Sequence, residues 1–163
     1  MKITLLTTGG TIDKIYFDQK SAFQVGDPQI LEVLREANVT LDYGVQPLLR
    51  KDSLEMSDED RQLIRRTIET AEYSRFVVTH GTDTMIQTAK ALAGIPDKVI
   101  VLTGAMQPAR FRQTDAVFNI ACAVTAVQLL PEGVYIAMNG RIFHPENVRK
   151  NLQLGRFEPL TDE

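Results

Sequence analysis

A chain of 163 residues with 44% hydrophobic and 24% charged residues has the balance of a globular protein and room for one domain rather than two. Its 18 Lys and Arg against 21 Asp and Glu leave a net charge of -3, which argues against nucleic acid as the main partner. The single cysteine, Cys122, excludes an internal disulfide and a cysteine-based zinc cage. No apolar run reaches the ~18 residues that cross a bilayer, so no membrane partner is expected. Ile3-Thr4-Leu5-Leu6 is too short for a signal peptide, and a cytoplasmic location is expected.

Residues 3–7 form a compact β-prone run that stops at Thr8-Gly9-Gly10-Thr11; without clear alternation, it suits a strand covered on both faces. Residues 12–26 show no sustained period and read as a long loop. Asp27-Pro28 has the form of an N-cap followed by an N1 proline. Ile30, Leu31, Val33, Leu34 and Ala37 then supply the stripe of a helix ending near Asn38. A second strand is expected within 41–49, followed by the polar stretch Arg50-Lys51-Asp52-Ser53. Ser57 can cap the next helix, with Leu63, Ile64, Thr67, Ile68 and Ala71 facing inward and Arg61, Arg65, Arg66, Glu69 and Glu72 solvated.

The pattern repeats with a strand at 75–79, a turn His80-Gly81-Thr82-Asp83-Thr84 and a helix over 84–93, stopped by Gly94 and Pro96. A strand at 99–103 leads through Gly104-Ala105 into a polar loop to about Thr114. The helix from about 115 to 130 is apolar around most of its circumference, which predicts deep burial. After Pro131 and Gly133 comes a strand at 134–138, and Asn139-Gly140 predicts a hairpin returning through Ile142-Phe143. From Pro145 onward the chain reads as polar and irregular. Strands alternating with helices predict an α/β fold: a doubly wound, mostly parallel sheet of the Rossmann or flavodoxin kind, with helices on both faces. One domain over residues 1–163 with a short C-terminal β-hairpin region is expected.

In such a sheet, ligands bind beyond the carboxyl ends of the strands. Thr8-Gly9-Gly10-Thr11, Asp52-Ser53, His80-Gly81-Thr82-Asp83-Thr84 and Gly104-Ala105-Met106-Gln107 should therefore line one edge. Small residues, hydroxyls and the one carboxylate of Asp83 among them suit a small polar substrate approached closely by backbone. The candidates for nucleophilic attack are hydroxyls, which need a nearby base. Backbone N–H groups of the glycine-rich turns, at Gly10 and Gly81, can steady a developing oxyanion. Thr82 beside Asp83, with a lysine brought in from elsewhere, would form a Thr–Lys–Asp relay suited to acyl transfer. No dinucleotide fingerprint follows the first strand and no P-loop is present; no cofactor or metal is implied.

Thr7-Thr8-Gly9-Gly10-Thr11-Ile12 together with Val78-Thr79-His80-Gly81-Thr82-Asp83-Thr84-Met85 resembles the two signature motifs of the bacterial-type L-asparaginases. Thr103-Gly104-Ala105-Met106-Gln107-Pro108 is similar to a further block of that family, which usually has Arg before the proline. The resemblance follows the family's amino-terminal domain to about residue 160. It implies hydrolysis of L-asparagine to aspartate and ammonia through a threonine-linked acyl intermediate. Thr11 then corresponds to the primary nucleophile, and Thr82 and Asp83 to the second threonine and its acidic neighbour, which also contacts the substrate α-amino group. Lys150 aligns with the catalytic lysine, and Ser53 with the serine that holds the α-carboxylate. Gly10 and Gly81 join Ser53, Thr82 and Asp83 as substrate-binding positions.

Three departures from the family stand out. Phe23, in Phe23-Gln24-Val25-Gly26, occupies the place of the flexible-loop tyrosine and has no hydroxyl; Tyr16 is the candidate replacement. Leu54 follows Ser53 where the family usually has Gln. The chain also ends where the family's carboxy-terminal domain would begin; the Met1 start and the polar finish Thr161-Asp162-Glu163 favour a short form over a fragment. Relatives assemble, so a homodimer or homotetramer is expected. The alternatives are a non-catalytic module binding aspartate or asparagine, an isolated fragment, and a component of a tRNA-dependent amidotransferase, the last disfavoured by the missing basic surface.

Plainer roles exist for each residue. Thr11 and Thr82 can cap turns, Asp83 can complement a helix dipole, and Lys150 can be solvated. Tyr16 can simply pack its ring. His80 is expected to make a structural hydrogen bond rather than act as a base, His144 to be incidental, and Cys122 to be a small core residue.

Overall fold

The computed structural model describes residues 1–17 and 22–161. In chain order the elements are β1 (Lys2–Gly9), β2 (Lys14–Phe17), β3 (Ala22–Val25), α1 (Ile30–Glu36), β4 (Asp42–Lys51), α2 (Asp58–Thr70) and β5 (Arg75–Thr79). There follow α3 (Met85–Ala91), β6 (Val99–Thr103), α4 (Ala116–Leu129), β7 (Gly133–Met138), β8 (Arg141–Phe143), β9 (Arg149–Asn151) and β10 (Arg156–Glu158). Six strands form one sheet in the order β4-β1-β5-β6-β7-β8. Every pairing in it is parallel except that of β7 with β8, as the alternation of strands and helices predicts.

The strands sort their side chains with period 2. Ile3, Leu5, Val77, Val99 and Val101 face the layer of α1 and α4, while Leu6, Phe76, Val78, Ile100 and Leu102 face α2 and α3. Both faces are covered, so the strands read as near-continuous apolar runs. Ser57 caps α2 through a complete capping box with Asp60, which stabilises the helix by about 1 kcal/mol. No helix among the described residues is long and apolar enough to cross a membrane.

Several expectations are corrected. The stretch 12–26 is not one loop: it holds a 3-10 turn (Thr11–Asp13) and the β2/β3 hairpin, whose short strands mix Lys14 and Gln24 with β-prone residues and so hide their period. Its segment 18–21 and the polar finish at Asp162 and Glu163 lie outside the described residues. The helix α1 starts at Ile30, not at Pro28, because Asp27 turns its carboxylate to Arg50 instead of capping. On α2, Arg61 faces inward at 7% exposure and Leu63 outward at 36%, since the Arg61 guanidinium reaches Gln87 of α3 at 3.1 Å.

The deep burial expected of α4 holds on one side only. Val117, Phe118 and Leu129 are exposed because α4 covers a single sheet face, and Cys122 is only partly buried against the core. The tail is not irregular: β9 and β10 pair in antiparallel fashion, with Phe157 buried at 2% exposure. One aromatic anchor does not create a readable period.

Candidate active site

Strand order decides where a site can open. The chain leaving β1 runs to α1 on one face of the sheet, and the chain leaving adjacent β5 runs to α3 on the other. The two connections therefore diverge, and the crevice between the carboxyl ends of β1 and β5 is the topological switch point. The turn carrying Gly10 and Thr11 flanks it on one side, and the turn carrying Gly81, Thr82 and Asp83 on the other.

These turns touch. A Cβ placed on Gly10 (φ 93°) would collide with the Gly81 backbone, and the Gly10 N–H is held by Lys51 O at 2.9 Å. A Cβ on Gly81 would lie 2.5 Å from Ser53 Cβ and 2.6 Å from Ser53 Oγ. Three post-strand segments thus pack backbone to backbone, which only glycine permits. Thr84 Oγ1 donates to Ser53 O at 2.7 Å, and the His80 N–H donates to Thr103 O at 2.9 Å. All four segments expected at one rim of the sheet are therefore joined there.

Lys150 reaches this rim from β9. Its Nζ donates to Thr82 Oγ1 at 2.9 Å and to Asp83 Oδ1 at 2.5 Å. The lysine side chain is 16% exposed and that of Asp83 41%, so the trio lies at an opening rather than in the interior. Thr82 itself is buried. Thr11 is half-buried at the start of its 3-10 turn.

The hairpin forms a further wall. Tyr16 pairs directly with Phe23 across β2 and β3, and their rings meet edge to face at 5.4 Å. Cross-strand partners share a face, so the Tyr16 ring stands beside that of Phe23 on one side of the hairpin. Lys14, two residues from Tyr16 and on that same face, pairs with Asp52 at 2.7 Å. The Lys14 ammonium holds the Asp52 carboxyl below its usual range. A cavity of about 390 Å³ lies between the hairpin and the Asp52 turn.

His80 is fully buried behind the second turn. Its Nδ1 lies 2.7 Å from Gly81 O and its Nε2 2.8 Å from Thr88 Oγ1. The carbonyl only accepts, so Nδ1 carries the proton and Nε2 accepts from the threonine. Burial pushes the imidazole down to about 4. A neutral structural histidine fits the role expected of it. His144 packs its ring at a tilt against Tyr135 with centroids 5.1 Å apart.

A second polar set has little signature in the sequence. Asp115 accepts from Met106 N and Gln107 N, shaping the loop after β6. Buried Asn119 donates to Gly104 O at 3.0 Å and accepts Asn139 N–H at 3.1 Å. Asn139 Oδ1 in turn accepts Phe157 N–H at 2.8 Å, and Phe157 pairs with Lys150 in the β9/β10 ladder. The only sequence signal was an uncharged helix interrupted by one asparagine. Among the described residues, no group of three or more His, Cys, Asp or Glu is placed to hold a metal ion.

Residues 2–156 match the family profile described as asparaginase, N-terminal. The chain is similar to an L-asparaginase of Thermococcus kodakarensis, 34% identical over 163 residues, covering 95% of this chain and 49% of that protein. It is also similar to a glutamyl-tRNA(Gln) amidotransferase component of Methanococcus vannielii, 31% identical over 153 residues, covering 86% of this chain and 34% of that one. The solved structure of the thermostable L-asparaginase from Thermococcus kodakarensis superposes with a TM-score of 0.87 at 29% identity, covering 100% of this chain and 52% of that chain. The chain spans about half the length of the curated L-asparaginase it matches.

Proposed function

The chain belongs to the asparaginase family, matching its amino-terminal domain, and from that premise we propose that it hydrolyses the side-chain amide of L-asparagine to aspartate and ammonia. The observation that carries this reading is the meeting of Lys150 with Thr82 and Asp83 on the turn whose Gly81 touches Gly10, one residue from Thr11. On this reading two hydroxyls, a carboxylate and an amine would act on one small amide.

In this mechanism Thr11 Oγ attacks the amide carbonyl carbon, and its proton moves to the Tyr16 oxygen as the phenol hands its own proton on to the Thr82–Lys150 relay; the reverse transfer later restores Thr11. Backbone N–H groups of the two turns other than that of Gly10, which Lys51 O holds, steady the oxyanion. The C–N bond breaks as Thr82 and Lys150 relay a proton to the leaving nitrogen, and ammonia departs. Water then attacks the threonine ester, its proton passing to the same relay, and aspartate leaves with Thr11 restored. Asp83 holds the substrate α-amino group and the lysine, while Ser53 holds the α-carboxylate. The reading includes assembly as a symmetric homodimer or homotetramer, in which a second copy shields the site from water.

Ammonia release by the purified protein, measured with L-asparagine and with L-glutamine, tests the reading. Release from asparagine that is abolished by Thr11→Ala and by Lys150→Met, with the fold intact, supports it. Release at an unchanged rate in either variant overturns that residue's role. Calorimetric binding of aspartate with no ammonia from either amide would make the protein a binding module instead. A monomer in light scattering would remove the shielding copy.

A further inference from the structure

Asp13 is 2% exposed and has no part in the proposed reaction, yet three pieces of the site meet on it. Its N–H donates to Gly10 O at 3.1 Å, closing the turn that carries Thr11. Its carbonyl accepts the Gly26 N–H at 2.7 Å, closing the hairpin at its base. Its carboxylate Oδ1 accepts the Gln29 N–H at 2.8 Å, just before α1. The side chain borders a cavity of about 190 Å³ lined also by Gly9, Gly26, Pro28, Leu49 and Arg50. Burying a carboxylate costs several kcal/mol unless it is paired, and among the described residues one backbone N–H carries the pairing.

We propose that Asp13 is a positioning residue: by holding Gln29, its carboxylate sets the direction in which the β2/β3 hairpin leaves the Thr11 turn, and so places Tyr16. The effect on turnover rests on the amidohydrolase reading, whereas the effect on the hairpin does not. Both ends of the hairpin depart from this residue, since β2 begins at Lys14 and β3 ends one residue before Gly26. The charged groups facing it are Arg50 of β4 and Asp27 ahead of α1, which pair with each other; the adjacent Lys14 turns away to Asp52. Burial pushes the Asp13 carboxyl up to about 7, with the Gln29 hydrogen bond and Arg50 opposing the rise and Asp27 adding to it. Protonation replaces a charge-assisted acceptor with a neutral one, so the hold on Gln29 weakens as pH falls through neutrality.

The test is an amide-resonance pH titration of the full-length, isotope-labelled protein. The Gln29 and Tyr16 amides should move together with a midpoint near 7, and Asp13→Asn, which keeps an acceptor oxygen but cannot ionise, should abolish that midpoint at both. Asp13→Ala should displace the Gly26 and Tyr16 resonances at every pH; if it does not fold, the other two proteins decide. A Gln29 midpoint near the ordinary 3.8, or a Tyr16 resonance that ignores Gln29, overturns the proposal. In parallel, kcat for ammonia release should lose its inflection near 7 in Asp13→Asn. If the wild type releases no ammonia, the amidohydrolase reading falls while the resonances still judge Asp13.

Discussion

Lys150 and Thr82 stand 68 positions apart in the chain, yet Lys150 Nζ donates to Thr82 Oγ1 at 2.9 Å. The contact depends on β9 being held by β10, on Phe157 being buried, and on Asn139 accepting the Phe157 amide. A surface lysine would lose rotamer freedom to hold this pose; the pair with Asp83 at 2.5 Å offsets that cost.

If the hydroxyl of Thr82 is the working atom of that contact, its removal and its retention should separate. Thr82→Ser keeps an oxygen within reach of Lys150, and ammonia release should stay within about tenfold of wild type. Thr82→Val keeps the shape and loses the oxygen, and kcat should fall by about 100-fold or more. Equal rates in the two variants would remove Thr82 from the proton path.

Tyr16 and Phe23 face each other across the hairpin, so the missing hydroxyl can be exchanged between strands. Tyr16→Phe should lower kcat by about 100-fold, and the double variant Tyr16→Phe/Phe23→Tyr should recover a measurable part. A Tyr16→Phe protein as fast as wild type would show that the Tyr16 hydroxyl does not serve Thr11.

The buried histidine makes stability depend on pH. His80 titrates near 4 in the fold against 6.5 when free, so the unfolded chain takes up the proton first as pH drops. Its contribution is therefore present above about 6.5 and is lost as pH falls toward 4. The margin of wild type over His80→Gln in urea unfolding should shrink by about 2 kcal/mol between about pH 7.5 and about pH 5. Asp13, with its raised value, drives stability the opposite way, weakening it as pH rises from about 4 to 7. Because both proteins contain Asp13, the comparison isolates the histidine. A margin that does not change with pH would place the imidazole in contact with water.

Thr7 and Thr79 are register partners on β1 and β5, and the hydroxyls of both are buried without a hydrogen-bond partner among the described residues. Replacing each with isosteric valine removes an unsatisfied polar group that costs about 1–3 kcal/mol. Thr7→Val/Thr79→Val should raise the urea midpoint at unchanged m-value. A lowered midpoint would mean that these hydroxyls are satisfied in solution.

The sequence alone determined the α/β class, the parallel strands with their helices, the hairpin at Asn139-Gly140, and the two threonine-bearing turns. Each of those is a local signal: a period of 2 or 3.6, a cap, a glycine after a strand. Only the tertiary structure decided that the carboxyl ends of β1 and β5 are neighbours with diverging connections, and that Lys150 arrives between Thr82 and Asp83. It alone buried Arg61 on α2, left the outer side of α4 uncovered, and set Asp13 under the hairpin. None of these has a local signature, because burial and pairing depend on which faces and strand ends the chain brings together across long separations. Asp13 carries no local mark of burial, because the neighbours that bury it come together only in the fold.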